Sequence, residues 1–215
     1  MFPGDEASRQ RRLLQKIREA AGAGVDYIQL REKDRSTSEL ETLAKDAVDA
    51  TRDASQLRTE NRELRTSLLI NSRTDVALAV GAEGVHLRSD DISPHDVREV
   101  WEKAAKCGAG TPARQISPSV PLIGISCHSP AEVAEVAAST ATFAVFGPVF
   151  EKKDNPPAGL EVLQEACRAN IPVLALGGIT LANAHSCLAA GAAGIAGIRL
   201  FQDNDIALVV KQLRG

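Results

Sequence analysis

The sequence predicts an α/β fold, a (β/α)8 barrel (TIM barrel) in which the first strand at the N-terminus is missing. Short apolar runs alternate with longer helical patterns along the 215 residues. Most of the short runs are continuously apolar, as expected for parallel strands that are buried on both faces. A glycine-containing phrase also recurs where helices end and strands begin. Because such barrels often exceed about 200 residues as one unit, we expect a single domain covering residues 1–215.

The apolar runs and helical patterns can be placed along the chain. Seven runs are predicted to be strands: Asp26–Leu30, Ser67–Asn71, Gly84–Leu87, Val120–Ser126, Thr142–Gly147, Pro172–Leu176 and Gly194–Ile198. Eight patterns are predicted to be helices: Ala7–Ala21, Ser38–Ala54, Thr74–Val80, Pro94–Lys106, Pro130–Ala138, Leu160–Ala169, Leu181–Ala190 and Asp203–Leu213. Ser93-Pro94 and Ser129-Pro130 are typical of an N-cap followed by the first helical position.

The recurring phrase occupies residues 21–26, 80–85 and 190–195. In each copy a helix ends, a glycine terminates it and a strand follows. A repeated turn of this kind favours a rotationally repetitive βα architecture. A doubly wound open sheet is the alternative, although no GxGxxG motif follows a first strand.

The first helical pattern starts almost at the N-terminus, and no strand candidate precedes it. The predicted barrel is therefore one strand short. Either the start of the chain is assigned too far downstream, or Met1–Gly4 fills the missing place poorly. We expect lower stability than in a complete relative, because an open edge exposes unpaired backbone groups.

Composition and charge exclude several classes of protein. The formal net charge is −3, so nucleic acid and anionic membranes are not expected partners. No apolar run approaches the roughly 18 residues of a membrane span, and no apolar signal region begins the chain. Cys107, Cys127, Cys167 and Cys187 form no CxxC pair and are expected as reduced thiols. We therefore expect a cytoplasmic protein whose oligomeric state stays open, a homo-oligomer being one option.

The first visible strand ends in the polar residues Gln29, Arg31 and Lys33. Active sites of such barrels form at the C-terminal ends of the strands. Side chains alternate along a strand, so these three are expected on one side, where long donors suit an anionic ligand. A solvated strand end with a salt bridge to Glu32 is the alternative.

The next two strands end in residues that suit a ligand or a metal. Asn71 can orient a ligand by donating and accepting hydrogen bonds, or can belong to the N-cap region of the next helix. Asp90 and Asp91 follow the third strand and could hold Mg²⁺ beside a diphosphate. They are equally compatible with an ordinary loop before a helix.

Ser126 and His128 close the fourth strand and are expected on one side, with Cys127 facing the other way. His128 could act as a general acid or base, because an unperturbed histidine titrates near about pH 6.5. A structural histidine near a helix start is the alternative. Nothing specific supports Cys127 as a nucleophile.

The later loops indicate a phosphate-bearing small molecule. The loop after the fifth strand is long and contains Lys152 and Lys153, which is typical of a lid, a binding loop or a linker. Gly177 and Gly178 precede a helix start, where backbone N–H groups can approach a phosphate. Arg199 follows the last strand, and barrels often bind phosphate between these last two loops.

Several of these segments together resemble the thiamin phosphate synthase/TenI family, in order from about residue 8 to residue 203. They are Tyr27-Ile28-Gln29-Leu30-Arg31-Glu32-Lys33, Ile70-Asn71, Asp75-Val76-Ala77-Leu78-Ala79, Gly84-Val85-His86-Leu87, Gly124-Ile125-Ser126-Cys127-His128-Ser129, Phe146-Gly147-Pro148-Val149-Phe150 and Gly177-Gly178-Ile179-Thr180. The resemblance implies an enzyme of thiamin biosynthesis. It would join hydroxymethylpyrimidine diphosphate to thiazole phosphate, release diphosphate and use Mg²⁺.

The resemblance also implies roles for individual residues. Gln29 would contact the pyrimidine, Arg31, Lys33 and Asn71 would hold the diphosphate, Asp91 would bind Mg²⁺, Ser126 would lie near the pyrimidine amine, and Gly178 would contact the thiazole phosphate. Cations and a metal that stabilise the leaving group fit this chemistry, which has little need of a nucleophile.

Three departures from the synthase pattern keep alternatives open. Ser72 replaces a second acidic metal ligand, Glu151-Lys152-Lys153 replaces a Pro-Thr-x-Thr-Lys stretch, and Arg199 replaces a small serine. A TenI-type thiazole tautomerase would use His128 as acid and base and would need no cofactor. A non-catalytic protein that binds thiazole phosphate or thiamin phosphate is the third possibility.

Overall fold

The computed structural model describes residues 5–58, 65–107, 120–150 and 156–215. Helices and strands alternate along these segments. Their bounds are α1 Glu6–Ala23, β1 Tyr27–Leu30, α2 Thr37–Arg58, β2 Ser67–Asn71, α3 Thr74–Val80, β3 Gly84–Leu87, α4 Pro94–Cys107, β4 Leu122–Cys127, α5 Pro130–Ala137, β5 Phe143–Phe146, α6 Gly159–Ala166, β6 Val173–Ala175, α7 Leu181–Ala189, β7 Gly194–Ile195, α8 Arg199–Gln202 and α9 Ile206–Arg214.

The strands form a seven-stranded sheet in the order β1-β2-β3-β4-β5-β6-β7. The pairs β1–β2, β4–β5, β5–β6 and β6–β7 are parallel. Chain-order neighbours joined through helices are the arrangement of a (β/α) barrel, so the predicted fold class is confirmed. In the described residues α1 precedes every strand, as the sequence predicted.

The chain divides into two compact units. The first consists of Met1–Val85 and Val100–Pro121, and the second of His86–Glu99 and Leu122–Gly215. The predicted single domain over residues 1–215 stays a prediction. No helix in the described parts of the chain is long and apolar enough to cross a membrane.

In the first unit, glycines end the helices where the recurring phrase predicts them. Gly24 ends α1 at φ 87° and Gly81 ends α3 at φ 67°, both in the left-handed region that glycine adopts without strain. At the other end of α1, the Asp5 carboxylate accepts a hydrogen bond of 2.8 Å from the Ser8 N–H. These caps define the length of α1 and the entry into β1.

In the second unit, the strands are buried as their apolar sequences predict. All four residues of β5 are buried, and so are both ends of β6. Ser129 caps α5 by accepting a hydrogen bond of 3.2 Å from the Glu132 N–H, with Pro130 in the first turn. Ser126 lies near the end of the mostly buried strand β4, and His128 follows that strand.

The C-terminal part of the chain differs from the predicted boundaries. β7 ends at Ile195, and the short helix α8 begins at Arg199, after residues 196–198. Ile198 already has helical dihedrals, because a short apolar run does not by itself distinguish a strand from a helical turn. The last helix begins after Asp205, whose carboxylate accepts a hydrogen bond of 3.1 Å from the Leu208 N–H.

A largely buried carboxylate fixes the turn between α3 and β3 in the first unit. Glu83 accepts a hydrogen bond of 3.0 Å from the Leu68 N–H and lies 3.6 Å from the Arg52 guanidinium. Arg52 also donates to the Gly81 carbonyl at 2.6 Å. Burial raises the pKa of Glu83, while the Leu68 N–H and the Arg52 charge act in the opposite direction.

We expect Arg52→Met to lower the free energy of unfolding by about 2 kcal/mol at pH 7, because Glu83 would keep a buried charge without its cation. A raised pKa means that the folded state binds the proton more tightly than the unfolded state. The loss should therefore shrink as the pH is lowered towards about 5. Denaturant unfolding at several pH values measures this. Lys45→Met, on an exposed position of α2, is the control, and a pH-independent loss would contradict the account.

Candidate functional site

Polar side chains at the ends of β1 and β2 form a hydrogen-bonded chain in the first unit. The Gln29 amide donates to Asn71 Oδ1 at 2.7 Å, and the Asn71 amide donates to Ser72 Oγ at 3.0 Å. Ser72 has a φ of 60°, in the left-handed region that serine rarely adopts. Such strain clusters at functional sites. The structure thus brings together Gln29 and Asn71, which the sequence had singled out separately.

Arg31 and Lys33 are exposed immediately after β1, which ends at Leu30. The alternation of side chains along a strand therefore applies to Gln29. It does not apply to Arg31 and Lys33, which lie beyond the end of β1. Glu32 lies 3.8 Å from Arg35. Within the described residues it forms no salt bridge with Arg31 or Lys33, which was the alternative for this strand end. Among the residues that the structure describes, neither Arg31 nor Lys33 has an ion-pair partner, which leaves both charges available to an anion.

The neighbouring Arg73 already has an ion-pair partner. Its guanidinium lies 2.6 Å from Asp75 and donates to the Thr37 hydroxyl at 3.2 Å. The hydrogen bond from Arg73 lowers the pKa of Asp75. Arg73 therefore stabilises the start of α3.

In the second unit, the candidate metal ligands Asp90 and Asp91 both face Arg88. Asp91 Oδ2 accepts the Arg88 N–H at 2.8 Å, and Asp91 Oδ1 lies 3.4 Å from the guanidinium. Asp90 lies 3.4 Å from the same guanidinium. The Arg88 side chain is half exposed, and its guanidinium is the positive charge beside both carboxylates. One or two carboxylates plus substrate phosphates are the ligands Mg²⁺ usually takes, so these residues fit the metal.

A different group of possible ligands lies on α4. His95, Asp96 and Glu99 are exposed and close enough to share an ion. Within the described segments this is the one group of three potential ligands, and Asp90 and Asp91 are not part of it. Exposed acidic groups are common without a metal, so the cluster carries no assignment.

Ser126 on β4 lies 3.1 Å from His86 on β3, measured from Oγ to Nε2. His86 is 7% exposed and is one of the few buried polar side chains of the described residues. In the sequence, His86 belongs to the Gly84-Val85-His86-Leu87 motif, which assigns it no role. A single polar residue inside an apolar strand was the available signal.

His128 follows β4 and is held on two sides. Its ring Nδ1 lies 2.6 Å from the Gly147 carbonyl, and its backbone N–H donates to Glu132 at 2.8 Å. A carbonyl can only accept, so Nδ1 carries the hydrogen, and Nε2 of a neutral ring is left as an acceptor. The ring is exposed, which suits a proton-transfer group. Glu132 is a supporting residue that the sequence analysis had not identified.

Cys127, which lies between Ser126 and His128 in the sequence, is fully buried. Burial, and secondarily the Glu132 charge, raises the pKa of its thiol to about 12. A thiol in that state is not a nucleophile at neutral pH, which agrees with the absence of support in the sequence.

A cavity of about 290 Å³ opens beside these residues in the second unit. Its wall includes Asp91, Ile92, Ser126, Cys127 and Glu132. The cavity therefore extends from the candidate metal ligand Asp91 to the end of β4.

The loops after β5 and β6 approach each other closely. The Val149 and Phe150 N–H groups donate to the Leu176 and Gly177 carbonyls at 2.9 and 3.1 Å. A Cβ on Gly177, which has a φ of 98°, would lie 2.5 Å from Pro148 Cα. Gly178 follows at φ 63°, before Thr180 caps α7. Two successive glycines are thus required by the backbone path itself.

The other predicted phosphate ligands are Lys152, Lys153 and Arg199. Lys152 and Lys153 lie outside the described residues. Arg199 does not close β7 as expected but is the first residue of the short helix α8, and its side chain is exposed. The correction follows from the early end of β7 at Ile195.

The parallel strands and the intervening helices define a (β/α)-barrel protein. In each unit, polar groups at the strand ends suit a small anionic molecule. The family model described as thiamine monophosphate synthase matches residues 3–115 and 111–201. The thiamine-phosphate synthase of Syntrophomonas wolfei is 36% identical over 210 residues, which are 95% of this chain and 88% of that protein. The thiamine-phosphate synthase of Roseiflexus sp. is 35% identical over 88% of this chain and 72% of its own length.

A solved structure gives the same result. The thiamine phosphate pyrophosphorylase from Pyrococcus furiosus superposes with a TM-score of 0.71 at 29% identity, covering 96% of this chain and 90% of that one. The chain belongs to the thiamine monophosphate synthase family. The resemblance inferred from the sequence is confirmed, and with it the assignment to the enzymes of thiamin biosynthesis.

We expect Gly177→Ala to lower the free energy of unfolding by about 2–4 kcal/mol, because the new Cβ would meet Pro148 and the backbone is left-handed. Gly22→Ala is the matched control. Nothing lies within 4 Å of a Cβ at this helical position, so that variant should gain about 0.5–1 kcal/mol. Thermal and denaturant unfolding measure both. A Gly177→Ala protein as stable as the wild type would contradict the close approach.

Proposed function

We propose that this protein is a thiamin phosphate synthase, which joins hydroxymethylpyrimidine diphosphate to thiazole phosphate and releases diphosphate. The family relationship and the polar groups at the strand ends support the proposal. Its partners are then these two small phosphorylated substrates, and a cytoplasmic location fits them. The oligomeric state stays open.

The observation that carries the proposal is the pair of available cations after β1. Arg31 and Lys33 are exposed and have no ion-pair partner among the described residues, whereas Arg35 lies 3.3 Å from Glu6 and 3.8 Å from Glu32. Two uncompensated cations beside an Asn–Gln hydrogen-bonded pair suit a highly charged leaving group. Asn71 and Gln29 complete this binding group in the proposal.

The chemistry needs electrostatic stabilisation more than a nucleophile. The bond between the pyrimidine methylene carbon and the diphosphate oxygen breaks, and the electron pair leaves with the diphosphate. The thiazole nitrogen then uses its lone pair to form the new C–N bond. Arg31 and Lys33 lower the barrier because they stabilise the charge that develops on the departing oxygen.

Asp91, with Asp90 beside it, would hold Mg²⁺. When bound, this ion supplies further positive charge to the diphosphate oxygens. Each carboxylate lies 3.4 Å from the Arg88 guanidinium, and this contact must break before the carboxylate binds the metal. The Arg88 guanidinium therefore supplies the positive charge beside the two carboxylates.

The second phosphate is assigned to the loop after β6. The Gly178 N–H donates to no backbone acceptor within the described residues, and α7 begins three residues later. Such N–H groups at a helix start suit a phosphate. Gly177 and Gly178 are proposed to bind the thiazole phosphate, with Lys152, Lys153 and Arg199 as additional candidate cations.

We expect Arg31→Ala and Lys33→Ala each to reduce kcat/KM for the diphosphate substrate by at least about tenfold, since each removes a charge-assisted contact to the leaving group. Lys45→Ala is the control, because this exposed lysine lies on α2 away from the strand ends. Steady-state kinetics of thiamin phosphate formation measure the effect. Near-normal kinetics in both variants would remove the proposed diphosphate role.

A thiazole tautomerase is the second candidate, and the geometry of His128 favours it. The Gly147 carbonyl holds Nδ1–H at 2.6 Å, so Nε2 is positioned to accept a proton in a neutral ring. This reaction moves a proton on the thiazole carboxylate phosphate and needs no metal.

If the protein catalyses this isomerisation, His128→Asn should slow it by about a hundredfold or more, because the acid/base group is lost. Proton NMR of the thiazole carboxylate phosphate follows the reaction. His185→Asn, on an exposed position of α7, is the matched control. An isomerisation rate equal to that of the wild type would exclude His128 as the acid/base group.

A further inference from the structure

A single guanidinium faces both candidate metal ligands in the turn after β3. Arg88 Nε lies 3.4 Å from Asp90 Oδ1, and Arg88 Nη2 lies 3.4 Å from Asp91 Oδ1. Arg88 and Asp91 also belong to the wall of the cavity of about 290 Å³. A side-chain cation therefore lies beside the carboxylate oxygens that a metal ion in this cavity would need.

The backbone of the turn fixes the Asp91 carboxylate. Its Oδ2 accepts a hydrogen bond of 2.8 Å from the Arg88 N–H, and the Asp91 N–H donates to the Arg88 carbonyl at 3.2 Å. The Asp91 side chain is only 12% exposed, so it has little room to reorient. Oδ1 is therefore the oxygen for which a metal ion and the guanidinium compete.

The guanidinium opposes a metal ion at this oxygen. Mg²⁺ binds a carboxylate oxygen at about 2.0–2.1 Å. A guanidinium nitrogen that stayed 3.4 Å from the same oxygen would lie within about 5.5 Å of the ion, where two cations repel each other appreciably. Metal binding therefore displaces the guanidinium, and the free energy of the lost contacts is subtracted from the free energy of metal binding.

We propose that Arg88 is an intramolecular competitor of the metal ion, which neutralises Asp90 and Asp91 in the metal-free protein and thereby sets the affinity of the site for divalent cations. The competition makes the site respond to the metal concentration instead of holding a permanently bound ion. That the ion is the Mg²⁺ of the reaction rests on the proposed synthase function, whereas the competition depends only on the Arg88 contacts.

The test measures Mn²⁺ binding to the full-length protein by electron paramagnetic resonance, without substrate. We expect Arg88→Gln to bind Mn²⁺ about tenfold more tightly than the wild type, because a neutral amide replaces the competing charge. Arg88→Lys keeps the charge and should stay within about threefold of the wild type. Arg168→Gln, at an exposed position after α6, is the matched control for the loss of one positive charge, and it should change the affinity by less than about twofold.

Thermal unfolding gives a second readout. Without metal, Arg88→Gln leaves the two carboxylates without their cation. A given concentration of Mg²⁺ should therefore raise the Tm of Arg88→Gln by more than it raises the Tm of the wild type, because the stabilisation grows with the ratio of free ligand to Kd. If circular dichroism finds Arg88→Gln unfolded, Arg88→Ala replaces it in both measurements.

Asp91→Asn shows where the ion is bound, because this variant leaves the exposed group of His95, Asp96 and Glu99 on α4 intact. Combined with Arg88→Gln, it should abolish the additional Mn²⁺ affinity. Equal Mn²⁺ affinity of the wild type and Arg88→Gln would overturn the inference. A gain that survives Asp91→Asn, or no Mn²⁺ binding by either protein, would overturn it as well.

Turnover with Mg²⁺ is assayed separately on the wild type. Tighter Mn²⁺ binding by Arg88→Gln without wild-type turnover keeps the inference and removes the synthase function. Mg²⁺-dependent turnover with an unchanged Mn²⁺ affinity in Arg88→Gln does the reverse.

Discussion

The candidate residues share one constraint: polar side chains at the ends of the parallel strands are held by hydrogen bonds to a neighbouring strand or to the loop that follows it. Gln29 and Asn71 satisfy each other at 2.7 Å, His86 and Ser126 do so at 3.1 Å, and His128 uses the Gly147 carbonyl at 2.6 Å. In each case both partners belong to the same compact unit. The side chains proposed to meet the ligand are therefore oriented by the protein before the ligand arrives, which reduces the reorganisation needed during the reaction.

The charged side chains near the candidate residues differ from the hydrogen-bonding groups, because not all of them have a partner. Most of the cations near the candidate residues have acidic neighbours, as Arg35, Arg73 and Arg88 do. Within the described ranges, Arg31, Lys33 and Arg199 are candidate cations that have no ion pair. A leaving diphosphate would supply the missing negative charge, and the two acids paired with Arg88 would take a metal in exchange. The distribution of charge therefore supports diphosphate chemistry, although the net charge of the chain is only −3.

The sequence predicted most of the fold because two local signals agree. Continuous apolar runs identified β1 to β6, and glycines in the left-handed region ended α1 and α3 where expected. The prediction failed at Gly194–Ile198, where an apolar run contains a two-residue strand and leads into a helical turn, so Arg199 lies on α8. At the candidate site, position at the end of a strand predicted the candidate residues, but it did not predict their hydrogen-bond or ion-pair partners. The His86–Ser126 bond depends on the register of two strands, and the Glu32–Arg35 pairing depends on side-chain direction after a strand has ended.

The most direct measurement is the formation of thiamin phosphate from hydroxymethylpyrimidine diphosphate and thiazole phosphate, with and without Mg²⁺. The account predicts Mg²⁺-dependent product, which would mean that Asp91 and its neighbour suffice for the metal although Ser72 replaces the second acidic ligand. A stably folded protein that forms no product under either condition would contradict the synthase assignment. The proton chemistry of His128, or binding without turnover, would then be the function to pursue.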